Sequence, residues 1–347
     1  MHRRRTLAVL TAASMLAGPL RAGIARATAD DSGDGNGDDA LQGGGDLGAA
    51  LQRYLALPGT KSYLIHAGPG GSLGRLAHRP DLFLLTSSTY KTFVLGQYLR
   101  DVEAGLLSED AQLAIDDSVR TLGSPVFENL AGTTQARSVL DAMIAYSDNT
   151  ATDLATRTVG ADRVRVLIAQ LGLASIRIPT STRLFVSYLL GAPAGVDLGW
   201  PGILEAAQNP PGPPRPPLND VITPAGSARD FVAWYEQALQ GTVFAKPETL
   251  REFKRIQAES VQIPLTVPPD TPAYAKGGEN PPSFGSLFSG KSFAGQMIVS
   301  SGGGVQTPVT FCFIVNWNGP ASEFSTIEAE FFAAIKGILN VIKQALQ

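Results

Sequence analysis

Strand-like runs stand at the two ends of this chain's globular part, and a long block of helix-patterned sequence separates them. Near the start, Lys61 to His66 and Leu76 to Leu85 read as two strands joined by a Gly-rich turn from Gly68 to Gly74. The next strand signals come far downstream, at Ala273 to Gly277, Gly295 to Ser300 and Val309 to Asn316. Between them the apolar spacing predicts helices at 90–103, 136–146, 151–158, 161–172 and near 247–257. Thr223-Pro224 opens one more helix, with Ala228, Phe231, Trp234, Tyr235 and Leu239 on its apolar face. Residues 179–222 read as irregular and include a stiff, polyproline-like insert from Pro210 to Pro217. A helix from Leu47 to Leu57 precedes the first strand, and an amphipathic helix from Ser325 closes the chain. Strands so placed share one core only if both chain ends contribute to a single antiparallel sheet. The expected class is therefore α+β, an antiparallel sheet flanked by helices with an all-helical lobe inserted. The sheet lobe is expected from 47–87 and 245–347, the helical lobe from 88–244, and a cleft between them is the natural place for chemistry.

The first 27 residues read as an export signal. Arg3-Arg4-Arg5 lead an apolar run from Leu7 to Leu20, and Ala25-Arg26-Ala27 offers a small-x-small cleavage site. The paired arginines before Thr6 and Leu7 also fit a twin-arginine signal, so a periplasmic or secreted location is expected. Residues 28–46, dense in Gly and Asp, read as a flexible acidic linker. Residues 1–27 hold five arginines and no acid, so their removal takes the formal charge from −3 to −8. That balance, without a basic stripe, argues against nucleic-acid binding. No stretch beyond the signal has the roughly 18 unbroken apolar residues of a membrane span. The single cysteine, Cys312, lies between Phe311 and Phe313 and reads as a buried strand thiol. A monomer is the expected state.

Where the run Leu82 to Leu85 meets the amphipathic run from Thr92 stands Thr86-Ser87-Ser88-Thr89-Tyr90-Lys91. A serine three residues before a lysine on a first helical turn puts both side chains on one face. Ser88 then has the place of a nucleophile and Lys91 that of its base, provided burial depresses the lysine pKa. Alone, the same spacing also describes a capped helix start with a solvated lysine. Two later stretches turn the balance: Tyr146-Ser147-Asp148-Asn149 just after a helix, and Lys276-Gly277-Gly278 where a strand meets a Gly- and Pro-rich connection.

Taken in order, these three stretches resemble the class A serine β-lactamases and their penicillin-binding relatives, which carry Ser-x-x-Lys, Ser-Asp-Asn and a Lys-Thr-Gly-type triplet. The resemblance runs from about Leu47 to the C-terminus. It implies acyl transfer with no metal and no organic cofactor, on a small molecule or a cell-wall peptide. Ser88 would attack a carbonyl, Lys91 accept its proton, and Ser147 pass a proton between Lys91 or Lys276 and the leaving nitrogen. Asn149 would orient an acylamino group, and Lys276 supply a positive field. Gly277, Gly278 and Glu279 would border the substrate, with the N–H groups of Ser88 and Glu279 as oxyanion hole. His66 and His78 fall in the first strand pair, away from any expected triad. Asp153 and Asp230 read as first-turn helix carboxylates.

The chain departs from the family pattern in three places. Gly277 stands where the family has a hydroxyl residue that binds the substrate's carboxylate. Glu279 follows on the same strand face, and like charges about 4 Å apart repel by about 1–4 kcal/mol. Thr182-Arg183-Leu184 resembles the start of the family's long loop, but counting onward puts Tyr188 where its water-activating glutamate belongs. The nearest carboxylates are Asp197 and Glu205. The sequence thus leaves open a hydrolase of β-lactams or similar amides, a D,D-peptidase of the penicillin-binding type, and a non-hydrolytic binding protein.

Overall fold

The computed structural model describes residues 45–68, 73–213, 215–283 and 286–347. The expected export signal and nearly all of the acidic linker lie outside the described residues. Helix α1 (Gly45–Leu55) leads into β1 (Thr60–Ala67), β2 (Arg75–His78) and a short β3 (Leu84–Leu85). A 3-10 turn over Ser87–Tyr90 passes directly into α2 (Lys91–Glu103). The helical lobe continues through β4 (Gln112–Ile115), β5 (Gly132–Gln135), α3 (Ala136–Ala145), α4 (Asn149–Val159) and α5 (Ala161–Gln170). Next come α6 (Thr182–Leu189), α7 (Gly199–Gln208), β6 (Ala225–Gly226), α8 (Ala228–Leu239), α9 (Pro247–Gln257) and the single turn α10 (Ile263–Thr266). The chain then returns to the sheet in β7 (Ala273–Asn280), β8 (Phe288–Ser300) and β9 (Gln306–Asn318), and ends in α11 (Ala321–Leu346).

Five strands form one antiparallel sheet in the order β2-β1-β9-β8-β7, so both chain ends do contribute to it. β9 lies at its centre, and its alternation divides the core. Phe311, Phe313 and Val315 pack with Leu51 and Tyr54 of α1 and with Phe331, Ile335 and Leu339 of α11. Cys312 and Ile314 face the other way, onto Phe231, Trp234 and Tyr235 of α8 and the α2 core. A strand covered on both faces reads as a continuous apolar run, which β9 does. Tyr54 ties α1 to the sheet by donating to the carbonyls of Ile314 (2.8 Å) and Ser62 (3.1 Å), so its buried hydroxyl is satisfied. Cys312 is fully buried, as expected, and burial pushes its thiol well above the ordinary range.

Four local expectations are corrected. The strand expected over 76–85 is two elements, because Arg79 takes a left-handed conformation and Pro80 follows it. Leu84 and Leu85 leave the main sheet to pair with Gly226 and Ala225. That pairing also delays the helix expected at Thr223-Pro224: it starts at Ala228, capped by Ser227, whose Oγ accepts the N–H of Asp230 at 3.2 Å. The region 179–222 is not irregular throughout, since it holds α6 and α7. Finally, a two-stranded pair, β4 with β5, interrupts the helical lobe.

Candidate active site

The turn carrying Ser88 is held from three sides. The side-chain amide of Asn316 on β9 brackets Leu85, its Oδ1 accepting the Leu85 N–H (2.8 Å) and its Nδ2 donating to the Leu85 carbonyl (3.0 Å). The Pro224 carbonyl, fixed by the β3–β6 pairing, accepts the N–H groups of Thr86 (2.9 Å) and Ser87 (3.1 Å). From β8, Ser292 Oγ donates to the Thr86 carbonyl, and Thr89 Oγ1 bonds Ser292 Oγ, both at 2.6 Å. Ser87 sits at φ +48°, a left-handed backbone that only firm surroundings keep in a non-glycine residue. Ser88 is thereby presented, partly exposed, at the wall of a cavity of about 220 Å³.

Lys91 opens α2 one turn on and is fully buried. Its ammonium nitrogen donates to the Ser147 carbonyl (2.6 Å), Asn149 Oδ1 (2.7 Å) and Ser147 Oγ (3.3 Å). Burial lowers its pKa to about 7, against the opposing pull of the Asp148, Asp153 and Glu279 charges. The Ser-Asp-Asn stretch is itself pinned. Asp148 caps α4 through the Ala151 N–H (2.7 Å) and accepts the N–H groups of Val126 and Phe127, both at 2.9 Å. Asn149 Nδ2 donates to the Leu122 carbonyl (2.8 Å), which leaves its oxygen turned to Lys91.

Lys276, on edge strand β7, is also buried and donates to the Gly277 carbonyl at 2.7 Å. Burial, and then the charge of Lys91, push its pKa well below that of an ordinary lysine. β7 packs against the Ser88 turn so closely that residue 278 must be glycine. A Cβ there would lie 2.2 Å from the Thr86 carbonyl oxygen and 2.9 Å from the Ser88 nitrogen. The fold therefore brings Ser88, Lys91, Ser147, Asn149, Lys276 and Gly278 to one place.

The three departures look different in three dimensions. Glu279 lines the Ser88 cavity, but its carboxylate is not free there. Its carboxylate accepts from Lys291 Nζ (3.0 Å), the residue directly across on β8, and Lys291 also pairs with Glu328 of α11. Partial burial pushes the Glu279 carboxyl up, but the Lys291 charge and hydrogen bond outweigh it and hold the pKa below the ordinary value. Tyr188 is not among the residues that line the Ser88 cavity. Its ring lies under the Arg215 guanidinium, 4.4 Å from the centroid, while Phe185, Val186 and Leu189 of the same helix line the Ser88 cavity. Asp197 is paired with Arg183, and Glu205 accepts from Asn209 on the surface. A side chain at Gly277 would have to displace the Gln262 carboxamide, because a Cβ there would fall 1.3 Å from its Oε1.

Sequence reasoning missed Phe185, Gln262 and the role of Asp153. Asp153 is not a first-turn carboxylate but lies further along α4. It is buried and accepts the N–H groups of Thr182 (2.6 Å) and Arg183 (2.9 Å), and burial raises its pKa to about 6. With Ser181 capping α6 through the Leu184 N–H (3.1 Å), it decides which face of α6 meets Ser88. The Asp153 contacts join residues 29 and 30 positions apart and leave no local signal, whereas the Ser181 cap has one. His66 pairs with Glu236 and His78 lies along Tyr63 (6.0 Å between ring centroids), so neither serves Ser88. A larger cavity of about 670 Å³, between Arg165, Arg177 and the segment 219–223, holds none of the motif residues. No group of three or more His, Cys, Asp or Glu suited to a metal occurs among the described residues. Nor is any described helix long and apolar enough to cross a membrane.

Among solved structures, the chromosome-encoded β-lactamase of Vibrio parahaemolyticus is similar at a TM-score of 0.64 and 16% identity, covering 85% of this chain and 98% of that one. A β-lactamase from Sphaerobacter thermophilus gives 0.62 and 19%, covering 87% and 97%. The protein PBP-A gives 0.63 and 15%, covering 89% and 99%. At such identities the likeness establishes the fold, a β-lactamase and penicillin-binding fold. No curated protein matches the chain. Residues 59–284 match the sequence profile described as the beta-lactamase enzyme family, a span that holds all three motifs and most of the chain. With fold, motif geometry and profile in agreement, the chain belongs to the beta-lactamase enzyme family.

Proposed function

We propose that this protein is an exported serine hydrolase that opens a β-lactam or a related amide through an acyl-enzyme on Ser88. The observation that carries the reading is the buried Lys91 amine, with a pKa of about 7, fixed to Ser147 and Asn149 one turn from Ser88. In its neutral form Lys91 takes the hydroxyl proton as Ser88 Oγ bonds to the substrate carbonyl carbon. The resulting oxyanion faces the N–H groups of Ser88 and Glu279. As the C–N bond breaks, the Ser147 hydroxyl gives its proton to the leaving nitrogen and is resupplied from the lysine side, leaving an ester on Ser88. Water then releases the acid and restores the serine. The apolar wall of Phe185, Val186 and Leu189 favours slow release, which is the behaviour of a penicillin-binding protein rather than of a fast β-lactamase.

Intact-protein mass after incubation with benzylpenicillin tests this. The expected result is a persistent adduct of one penicillin, mapped to Ser88. An unmodified protein with intact drug supports a non-hydrolytic binder and overturns the proposal. The rate of adduct formation should also follow the Lys91 base. Because the folded pKa lies near 7, below the ordinary 10.5, the neutral form grows as pH rises. Acylation is expected to climb about tenfold per unit between pH 5 and 6.5 and to level above pH 7 to 8. A flat profile over that range excludes Lys91 as the base.

A further inference from the structure

The space beside Lys276 that a hydroxyl side chain would fill from position 277 is already filled. Gln262, in the segment between α9 and α10, pushes its carboxamide against Gly277. A Cβ on Gly277 would lie 1.3 Å from Gln262 Oε1, 2.3 Å from its Cδ and 2.9 Å from Nε2. Oε1 is sealed against the glycine, with no hydrogen-bond partner among the described residues. Gln262 as a whole remains partly exposed, so the amide is buried through its oxygen and open elsewhere. The segment is anchored at the site, since the Val261 N–H donates to the Ala145 carbonyl (3.3 Å), two residues before Ser147. Gln262 thus stands between the Ser147 turn and β7, next to Lys276.

A buried, unpaired amide oxygen costs stability, so its presence calls for a role of the arrangement. With the oxygen packed on Gly277, the NH₂ end is the part left for a ligand. We propose that Gln262 Nε2 replaces the absent hydroxyl at position 277 as the hydrogen-bond donor to the carboxylate on the leaving-group side of the substrate. The glycine at 277 is then the partner that makes room for the amide. Lys291 completes the arrangement by holding the Glu279 carboxylate, which otherwise repels the same group. The substrate class named here is an amide whose leaving group carries a carboxylate. This assignment rests on the acyl-enzyme reading above.

The test compares acylation by benzylpenicillin with acylation by its methyl ester, which keeps the shape and loses the charge. A hydrogen bond to a charged group is worth about tenfold to a hundredfold in affinity. Gln262→Ala is expected to slow the acid by about that factor and the ester by less than about threefold. Gln262→Glu, nearly isosteric, should slow the acid at least as much, while the ester and the melting temperature hold. Gly277→Thr alone should impair the acid by displacing the amide, and Gln262→Ala with Gly277→Thr should recover part of the loss. Such non-additivity is expected only of two residues that share one space. Equal effects on acid and ester, or no effect of Gln262→Glu, overturn the assignment. A faster acid reaction in Gln262→Ala does so too, because it places the amide oxygen toward the substrate. Fluorophosphonate labelling of Ser88 separates the two levels of failure. If the wild type takes the fluorophosphonate but neither penicillin form, the substrate reading falls and the assignment with it. If both forms acylate Ser88 indifferently to residue 262, the assignment alone falls.

Discussion

Ser88→Ala is expected to reduce labelling by benzylpenicillin and by a fluorophosphonate to background, with the fold intact. Removing the nucleophile from a serine hydrolase costs about 10⁶ in kcat, because no neighbouring group takes over its covalent role. Here the hydroxyl next in the chain is that of Ser87, whose Oγ is buried without a hydrogen-bond partner on a left-handed backbone. The turn itself is held through backbone groups of residues 85–87, by Asn316, Pro224 and Ser292, none of which needs the Ser88 oxygen. The change in stability should therefore stay within about 1 kcal/mol, readable as a melting temperature close to that of the wild type. Ser87→Ala is the matching control and should label normally. Peptide mapping of the labelled wild type settles the assignment, and a label on Ser87 or on any residue other than Ser88 overturns it.

What the sequence made legible was the part encoded locally or by simple period. The strand runs at both ends of the chain forced a shared antiparallel sheet, and the Phe311-Cys312-Phe313 run marked a strand with a buried thiol. The Ser88–Lys91 spacing needed only one turn of helix to become a site. Hidden from it were the relations that depend on how distant segments meet. Nothing near Gly277 in the chain announces Gln262, because the contact exists only once β7 and the α9–α10 segment are side by side. Glu279 looked like a repulsive charge because its partner, Lys291, becomes its neighbour through strand register alone. Counting along the loop led to Tyr188, which does not line the Ser88 cavity, for a related reason. Residue spacing in a loop carries no direction, whereas α6 is a helix whose orientation is set by Asp153 and by the Arg183–Asp197 pair.

That orientation bears on the second large effect, the lifetime of the acyl-enzyme. Acylation and deacylation make separate demands. Lys91 and Ser147 can move the protons of the first, but the second needs a water held and deprotonated on the open side of the ester. A positioned base of that kind contributes about 10²–10⁴ in rate. The wall facing Ser88 from α6 offers Phe185, Val186 and Leu189, and none of them accepts a proton. A penicillin ester on Ser88 is therefore expected to outlast that of an enzyme with a loop glutamate by at least about a hundredfold. Phe185→Glu, which puts a carboxylate on the cavity-lining face of α6, should shorten the lifetime by a comparable factor. Tyr188→Glu should leave it unchanged, because residue 188 lies under Arg215. Mass spectra taken after removal of excess drug read the decay directly. Release from the wild type within about a second, at a rate that Phe185→Glu does not change, refutes the apolar-wall argument. The base must then be sought among Glu279, Asp197 and Glu205, each of which would have to give up the partner that now holds it.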